Sequence, residues 1–217
     1  MISIEAQQKL FVSISRRLKR PITIYAVGGT AMMFLGFKDA TIDIDLVFEN
    51  DKDKKIFKDA TKKIGYREMD PFKIYGARTN QPEMLTLGDE RFDLFVVNVI
   101  DFIFSEQMKE RADKTHQFNN NLILKIADPH DIILMKCATE RAKDADDARK
   151  IIENTEIKWN LIVGEVKNQI NLGKSQAAFE LGEFLEKLKY KMKLDIPKKT
   201  LDNIFNIVEK QAEEKQK

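Results

Sequence analysis

Two periods run through the apolar positions of this chain. Up to residue 127, short apolar and β-branched runs alternate with turn residues, as strands do; beyond Asp128 apolar residues recur every three or four positions, as on helices. Leu10, Ile14 and Leu18 predict a helix over 3–19, stopped by Pro21. Ile22 to Val27 reads as a buried strand that ends abruptly at Gly28-Gly29, and Thr30 to Leu35 has helix-forming content. The run Thr41 to Phe48 predicts a second strand, with Ile42, Ile44 and Leu46 pointing into the core. Asp51 to Ile64 reads as an exposed helix closed by Gly65, followed by short strands near Tyr66, over 73–78 and over 84–87. Two further strands are expected, one at Glu90 to Val97 and the last from Leu122 to Ala127.

After that strand, Asp128 is a good N-cap and Pro129 suits the first turn of a helix. Helices are expected over 129–142, 145–154, 157–171, 175–193 and 198–214, with breaks at Gly173 and Asp195-Ile-Pro197. The pattern predicts an α/β (α+β) architecture: a mixed, twisted sheet flanked by helices over 1–127, and a C-terminal helical region, 128–217, packed on that core.

Within this frame the acidic residues are placed unusually. Thirteen residues separate Gly29 from Asp43, enough for a short helix and a turn into the next strand. Asp43 and Asp45 are two apart on a strand, so both carboxylates face one way with Cα atoms about 6.6 Å apart. Asp93 is a lone acid inside an apolar run, where its charge is costly to bury without a cation or a partner. Hard carboxylate oxygens with no Cys or His nearby suit Mg²⁺ or Mn²⁺. The Gly28-Gly29 pair lets the backbone turn sharply and approach a ligand, and the following helix start, with the Thr30 hydroxyl, favours phosphate oxygens.

Gly28-Gly29-Thr30, then Asp43-Ile-Asp45, then Asp93, in that order, resemble the signature of the polymerase-beta-type nucleotidyltransferase superfamily. The stretch Asp128 to Asp147, with Lys136, Arg141, Asp144 and Asp147, is similar to the Lys-x4-Arg-x2-Asp-x2-Asp helix pair of its AbiEii-like and minimal-nucleotidyltransferase branches. Together the matches cover residues 22 to 150. The resemblance implies the nucleotidyltransferase fold and transfer of a nucleoside monophosphate from a nucleoside triphosphate to an acceptor hydroxyl. Asp43, Asp45 and Asp93 are then the catalytic and metal-binding acids, and Gly28, Gly29, Thr30 and Lys136 contact the triphosphate. Candidate acceptors are a tRNA 3′ end, a hydroxyl of a partner protein or a small molecule, and related branches include toxins and antitoxins. The competing reading is a non-catalytic member that binds nucleotide or a partner.

Composition narrows the setting. With 43% hydrophobic residues over 217, the chain can bury a substantial core, and a net charge of +2 from 37 basic and 35 acidic residues does not mark a nucleic-acid binder. The start of the chain lacks the pattern of a signal peptide and no stretch approaches ~18 apolar residues, so a cytoplasmic protein with no membrane partner is expected. The single Cys137 lies in an apolar run and reads as a core thiol. His130, at a helix start, reads as a solvated or capping residue, and His116 is isolated. Lys136 has a plainer reading as a surface lysine paired with Glu140, and Asp144 and Asp147 as residues tying two helices together. Lys73 and Arg78 suit phosphates or solvent equally. The run Lys187 to Lys193 is the one local basic concentration, able to attract RNA or merely to flank a buried stripe of Leu181, Leu185, Leu188 and Met192.

Overall fold

The computed structural model describes residues 1–138 and 141–215. It divides into two compact units: Met1–Ile100 with Phe104–Asp128, and Asp101–Ile103 with the segment from Pro129 onwards.

The first unit opens with β1 (Ile2–Ser3) and α1 (Ile4–Ser15), the latter capped by the Ser3 hydroxyl accepting from Ala6 N–H. There follow β2 (Ile22–Ala26), α2 (Gly28–Phe34), β3 (Ala40–Thr41), β4 (Asp43–Phe48), α3 (Asp51–Lys62), β5 (Arg67–Met69), α4 (Phe72–Tyr75), β6 (Glu83–Leu87) and β7 (Glu90–Val96). The short strands β8 (Asn98–Val99) and β9 (Phe102–Ile103) precede α5 (Glu106–Arg111), β10 (Thr115–Phe118) and β11 (Leu122–Ile126). A mixed sheet runs β10-β11-β2-β4-β7-β6-β5, parallel at β11/β2 and β4/β7 and antiparallel elsewhere along this path.

Strand alternation decides what each face carries. On β7, Phe92 and Leu94 point to the side where α1 and α3 bring Phe11 and Phe57 against the Phe92 ring, and all four are buried. The other face of β4 and β7 carries Asp43, Asp45, Arg91 and Asp93. The hydrophobic effect thus fixes which way the acids point.

The second unit is helical: α6 (Pro129–Lys136), α7 (Ala142–Asn154), α8 (Trp159–Asn171), α9 (Ala177–Glu186) and α10 (Lys198–Lys215), with a single π turn at Lys187–Lys191 after α9. Leu181, Leu185 and Leu188 form its buried stripe, and Gly182 lets α9 approach α10, where a side chain at that position would meet Phe205 at 3.2 Å. Among the described residues no helix is long and apolar enough to cross a membrane.

Several expectations need correcting. The strand expected over 73–78 is the short helix α4: Asp70 accepts the Phe72 N–H at 2.9 Å and Pro71 starts a helical turn that Gly76 ends at φ +61°. Ile42 is not in the core but 54% exposed, because it falls between β3 and β4, outside the pairing that buries Ile44 and Leu46. The helix expected over 129–142 closes at Lys136, with Thr139 and Glu140 outside the described residues, and the next helix begins at Ala142. The helix expected over 175–193 starts at Ala177 and passes into the π turn. Strand β10 was not expected, since three of its four residues keep solvent contact and show little apolar pattern.

Candidate metal centre

The parallel pairing of β4 with β7 sets Asp45 directly opposite Asp93, and Asp43 opposite Arg91. One carboxylate oxygen from each of Asp43, Asp45 and Asp93 can be chosen so that all lie within 4.8 Å of one another. Asp93 is completely buried and Asp43 is buried, while Asp45 is half-buried at the mouth. Three carboxylates converging this closely repel one another, and a cation among them relieves that repulsion.

The Gly28-Gly29 turn is built against these acids. Gly28 adopts φ +54°, a left-handed conformation that L side chains rarely take, and a Cβ there would stand 2.6 Å from Asp45 Oδ2. A Cβ on Gly29 would stand 2.7 Å from Thr41 Oγ1. Both glycines therefore bring the backbone against the rim of the acidic pocket. Thr30 is fully buried, and its hydroxyl accepts the Asp45 N–H at 3.0 Å, fastening α2 to the centre of β4. Val27 N–H donates to the Asp45 carbonyl at 3.1 Å, so both backbone polar groups of Asp45 are held.

Three residues that sequence reading did not single out complete the site. Thr41, two positions before Asp43, donates its hydroxyl to Asp43 Oδ1 at 3.1 Å. Arg91, two positions before Asp93 and so on the same face, donates from Nε to Asp93 Oδ1 at 2.8 Å and from Nη2 to Asp93 Oδ2 at 3.0 Å; Nη2 also donates to Asp43 Oδ2. Tyr75, from α4, donates its hydroxyl to Asp93 Oδ2 at 2.7 Å. The spacing of two was the available signal for Thr41 and Arg91. Tyr75 had none, because its contact with Asp93 depends on the unexpected helix. Burial pushes the Asp93 carboxyl above the usual carboxylate range, and the Arg91 charge and Tyr75 hydroxyl offset that only in part. Burial, then the charges of Asp93 and Asp45, push the Tyr75 hydroxyl well above its usual value, so it stays a donor.

The donor set is three hard carboxylate oxygens with no Cys or His, which fits Mg²⁺ or Mn²⁺.

The remaining sequence candidates have partners of their own or face solvent. Lys136 belongs to the second unit, where it is buried and donates to Asp144 Oδ1 and Asp147 Oδ2, both at 2.7 Å. It is thus not a surface lysine, and Glu140, its expected partner, lies outside the described residues. Burial works against the Lys136 charge, but the two aspartates outweigh it and hold its pKa above the ordinary lysine value. Arg141 adds a second clamp on Asp144 at 2.8 Å, so both acids tie α6 to α7. His130 is buried, not solvated, and accepts the Lys158 N–H at 2.9 Å, which caps α8. Cys137 is buried and donates to the Leu134 carbonyl at 2.8 Å; burial pushes its thiol well up, so it is a core group. His116 packs its ring on Phe34 at 4.8 Å. Lys73 and Arg78 are exposed, the first on α4 and the second in the turn after it.

No family model and no curated protein matches the chain. Among solved structures it is similar to ANT(2″)-Ia in complex with adenylyl-2″-tobramycin, at 16% identity over 83% of this chain and 98% of that one, with a TM-score of 0.45. It is similar to JHP933 from Helicobacter pylori, at 16% identity over 100% and 98% of the two chains and a TM-score of 0.42. A candidate nucleotidyltransferase from H. pylori aligns at 17% identity over 95% and 93%, with a TM-score of 0.43.

Proposed function

We propose that this protein is a metal-dependent nucleotidyltransferase that moves a nucleoside monophosphate from a nucleoside triphosphate to an acceptor hydroxyl. One observation carries the reading: Asp43, Asp45 and Asp93, from two strands paired in parallel register, converge within 4.8 Å beside a glycine turn whose backbone abuts Asp45. Arg91 brings one positive charge to these three acids, which leaves negative charge in the pocket for a cation to balance.

In this reading the three aspartates hold Mg²⁺ or Mn²⁺, and the backbone of Gly28 and Gly29, with Thr30 behind it, lies along the triphosphate. A divalent ion held there supplies charge neutralisation for the phosphates and acidifies an acceptor hydroxyl. The chain itself positions. Thr30 holds the backbone of Asp45, while Thr41 and Tyr75 donate to the carboxylates of Asp43 and Asp93, so those two meet their ligand already aimed. Lys136 stays outside this assignment, because both of its aspartate partners are buried with it and its ammonium fastens α6 to α7.

For the acceptor, a tRNA 3′ end and a protein hydroxyl both suit the chemistry. The exposed Lys191 and Lys193 of the basic run support RNA, whereas Lys189 is taken up by the Ile196 carbonyl. A toxin–antitoxin pair is one setting for such transfer, and labelled nucleotide appearing on RNA or on protein separates the two acceptors. The second reading, a member that binds without catalysing, draws on Arg91, whose guanidinium already neutralises Asp43 and Asp93.

Calorimetric titration with a nucleoside triphosphate tests the metal-dependent reading. Binding is expected with Mg²⁺ or Mn²⁺ and lost in EDTA, because the single charge of Arg91 offsets only part of what Asp43, Asp45 and Asp93 gather, and the remainder repels the phosphates. Equal affinity in both conditions removes the metal from the site.

A further inference from the structure

Arg91 occupies the acidic pocket from within. Its side chain leaves β7 on the same face as Asp93, and Asp43 is its partner across the β4–β7 ladder. Nε and Nη2 grip both oxygens of Asp93 at 2.8 and 3.0 Å, and the same Nη2 reaches Asp43 Oδ2. Both oxygens of Asp93 and one of Asp43 are thereby committed to a guanidinium, whose charge is permanent at any physiological pH. Arg91 itself is half-buried, with 15% of its side chain exposed, so a route to solvent exists.

We propose that Arg91 is an internal counter-ion that competes with divalent metal for Asp43 and Asp93, and that metal and nucleoside triphosphate load cooperatively because the phosphates receive the displaced guanidinium. The proposal rests on the metal-dependent reading above and adds to it a coupling device. Without metal, Arg91 holds the two acids together and keeps the pocket formed. When an ion takes the carboxylate oxygens, the guanidinium must leave, and Arg91 then needs another anion; planar, bidentate donors suit phosphate oxygens. Metal alone works against the loss of three charge-assisted hydrogen bonds, whereas metal with triphosphate regains part of them. Arg91 is in this sense a positioning residue for metal entry and a clamp for the nucleotide.

The test is Mn²⁺ binding, followed by calorimetry, to wild type and to R91Q, each alone and with a non-hydrolysable nucleoside triphosphate. R91Q is expected to bind Mn²⁺ alone at least tenfold more tightly than wild type, and the triphosphate is expected to improve Mn²⁺ affinity less in R91Q than in wild type. Folded R91Q that binds Mn²⁺ no better than wild type overturns the proposal while leaving the metal site standing. If neither protein binds Mn²⁺, the metal-dependent reading falls and this one with it. A measurement on wild type guards against a variant that does not fold: the Arg91 Nε–H signal in NMR is expected to be protected from exchange without metal and to lose protection on Mg²⁺ saturation. Protection that persists at saturation overturns the displacement of Arg91.

Discussion

Replacing Gly28 by alanine gives the sharpest test of how the glycine turn serves the acids. Two penalties are built into that position. The backbone at φ +54° costs an L residue roughly 1–2 kcal/mol. The new methyl would also stand 2.6 Å from Asp45 Oδ2 and 3.3 Å from its Cγ. Carbon contacts become comfortable near 3.5 Å, so the carboxylate has to retreat by about 0.9 Å. Asp45 cannot easily retreat with its backbone, because Thr30 holds its N–H and Val27 its carbonyl. The side chain must therefore rotate away from the pocket. A ligand displaced this far is expected to lose Mn²⁺ affinity by about 10–100-fold, and any transfer rate by roughly 10²-fold. Gly88→Ala is the control: its φ of +59° imposes the same strain, but nothing lies within 4 Å of the added carbon. Urea unfolding should show a loss of about 1–2 kcal/mol in G88A and at least as much in G28A, while Mn²⁺ titration should separate them. If G28A binds Mn²⁺ as G88A does, the close approach of Gly28 to Asp45 has no part in the site.

Asp93→Asn removes one charge while Asp43 and Asp45 remain, so triphosphate binding should survive while transfer falls by orders of magnitude; turnover within threefold of wild type, about 0.65 kcal/mol in barrier height, would make Asp93 structural. Lys136→Met removes the ammonium that joins Asp144 and Asp147 in the buried space between α6 and α7, and unfolding stability should drop by about 3–5 kcal/mol; a loss under 1 kcal/mol, about fivefold in the folding equilibrium, refutes the fastening role. The same pair reads out in pH. Because the folded pKa of Lys136 is raised above its ordinary value of 10.5, its contribution is complete below that pH and disappears as pH rises through the higher folded value. Wild type should therefore lose its advantage over K136M only on the alkaline side of 10.5, measured as the difference between their unfolding free energies.

The parts of the site that lie along single strands were readable in the sequence, and the parts that depend on what meets across strands were not. Asp43, Asp45 and Asp93 stood out because an acid in an apolar, alternating run breaks a local pattern, and the Gly28-Gly29 pair because it stops a strand abruptly. Arg91 did not stand out, since a basic residue at the start of a strand is ordinary; its meaning comes from lying opposite Asp43, 48 residues away in sequence. The stretch around Tyr75 misled by local resemblance. Lys73, Ile74 and Tyr75 alternate as in a strand, but Asp70 and Pro71 start a helical turn, and with it Tyr75 turns toward Asp93. In the helical unit the apolar period located every helix, while the ends shifted where capping came from distant groups, as with His130 at the start of α8.

The order of strands has a consequence for the chain while it is being made. β2 lies between β4, which follows it closely, and β11, whose register pairs Ile22 with Leu122 and Ala26 with Ile126. A nascent chain that has emerged only as far as Asn121 has everything needed to gather the three acids, yet one side of β2 still displays bare backbone N–H and C=O groups along the apolar residues Ile22, Ile24 and Ala26. Such an edge invites pairing with another unfinished chain. Only the arrival of residues 122–126 covers it, so protection from self-association is delivered about a hundred residues after the strand that needs it.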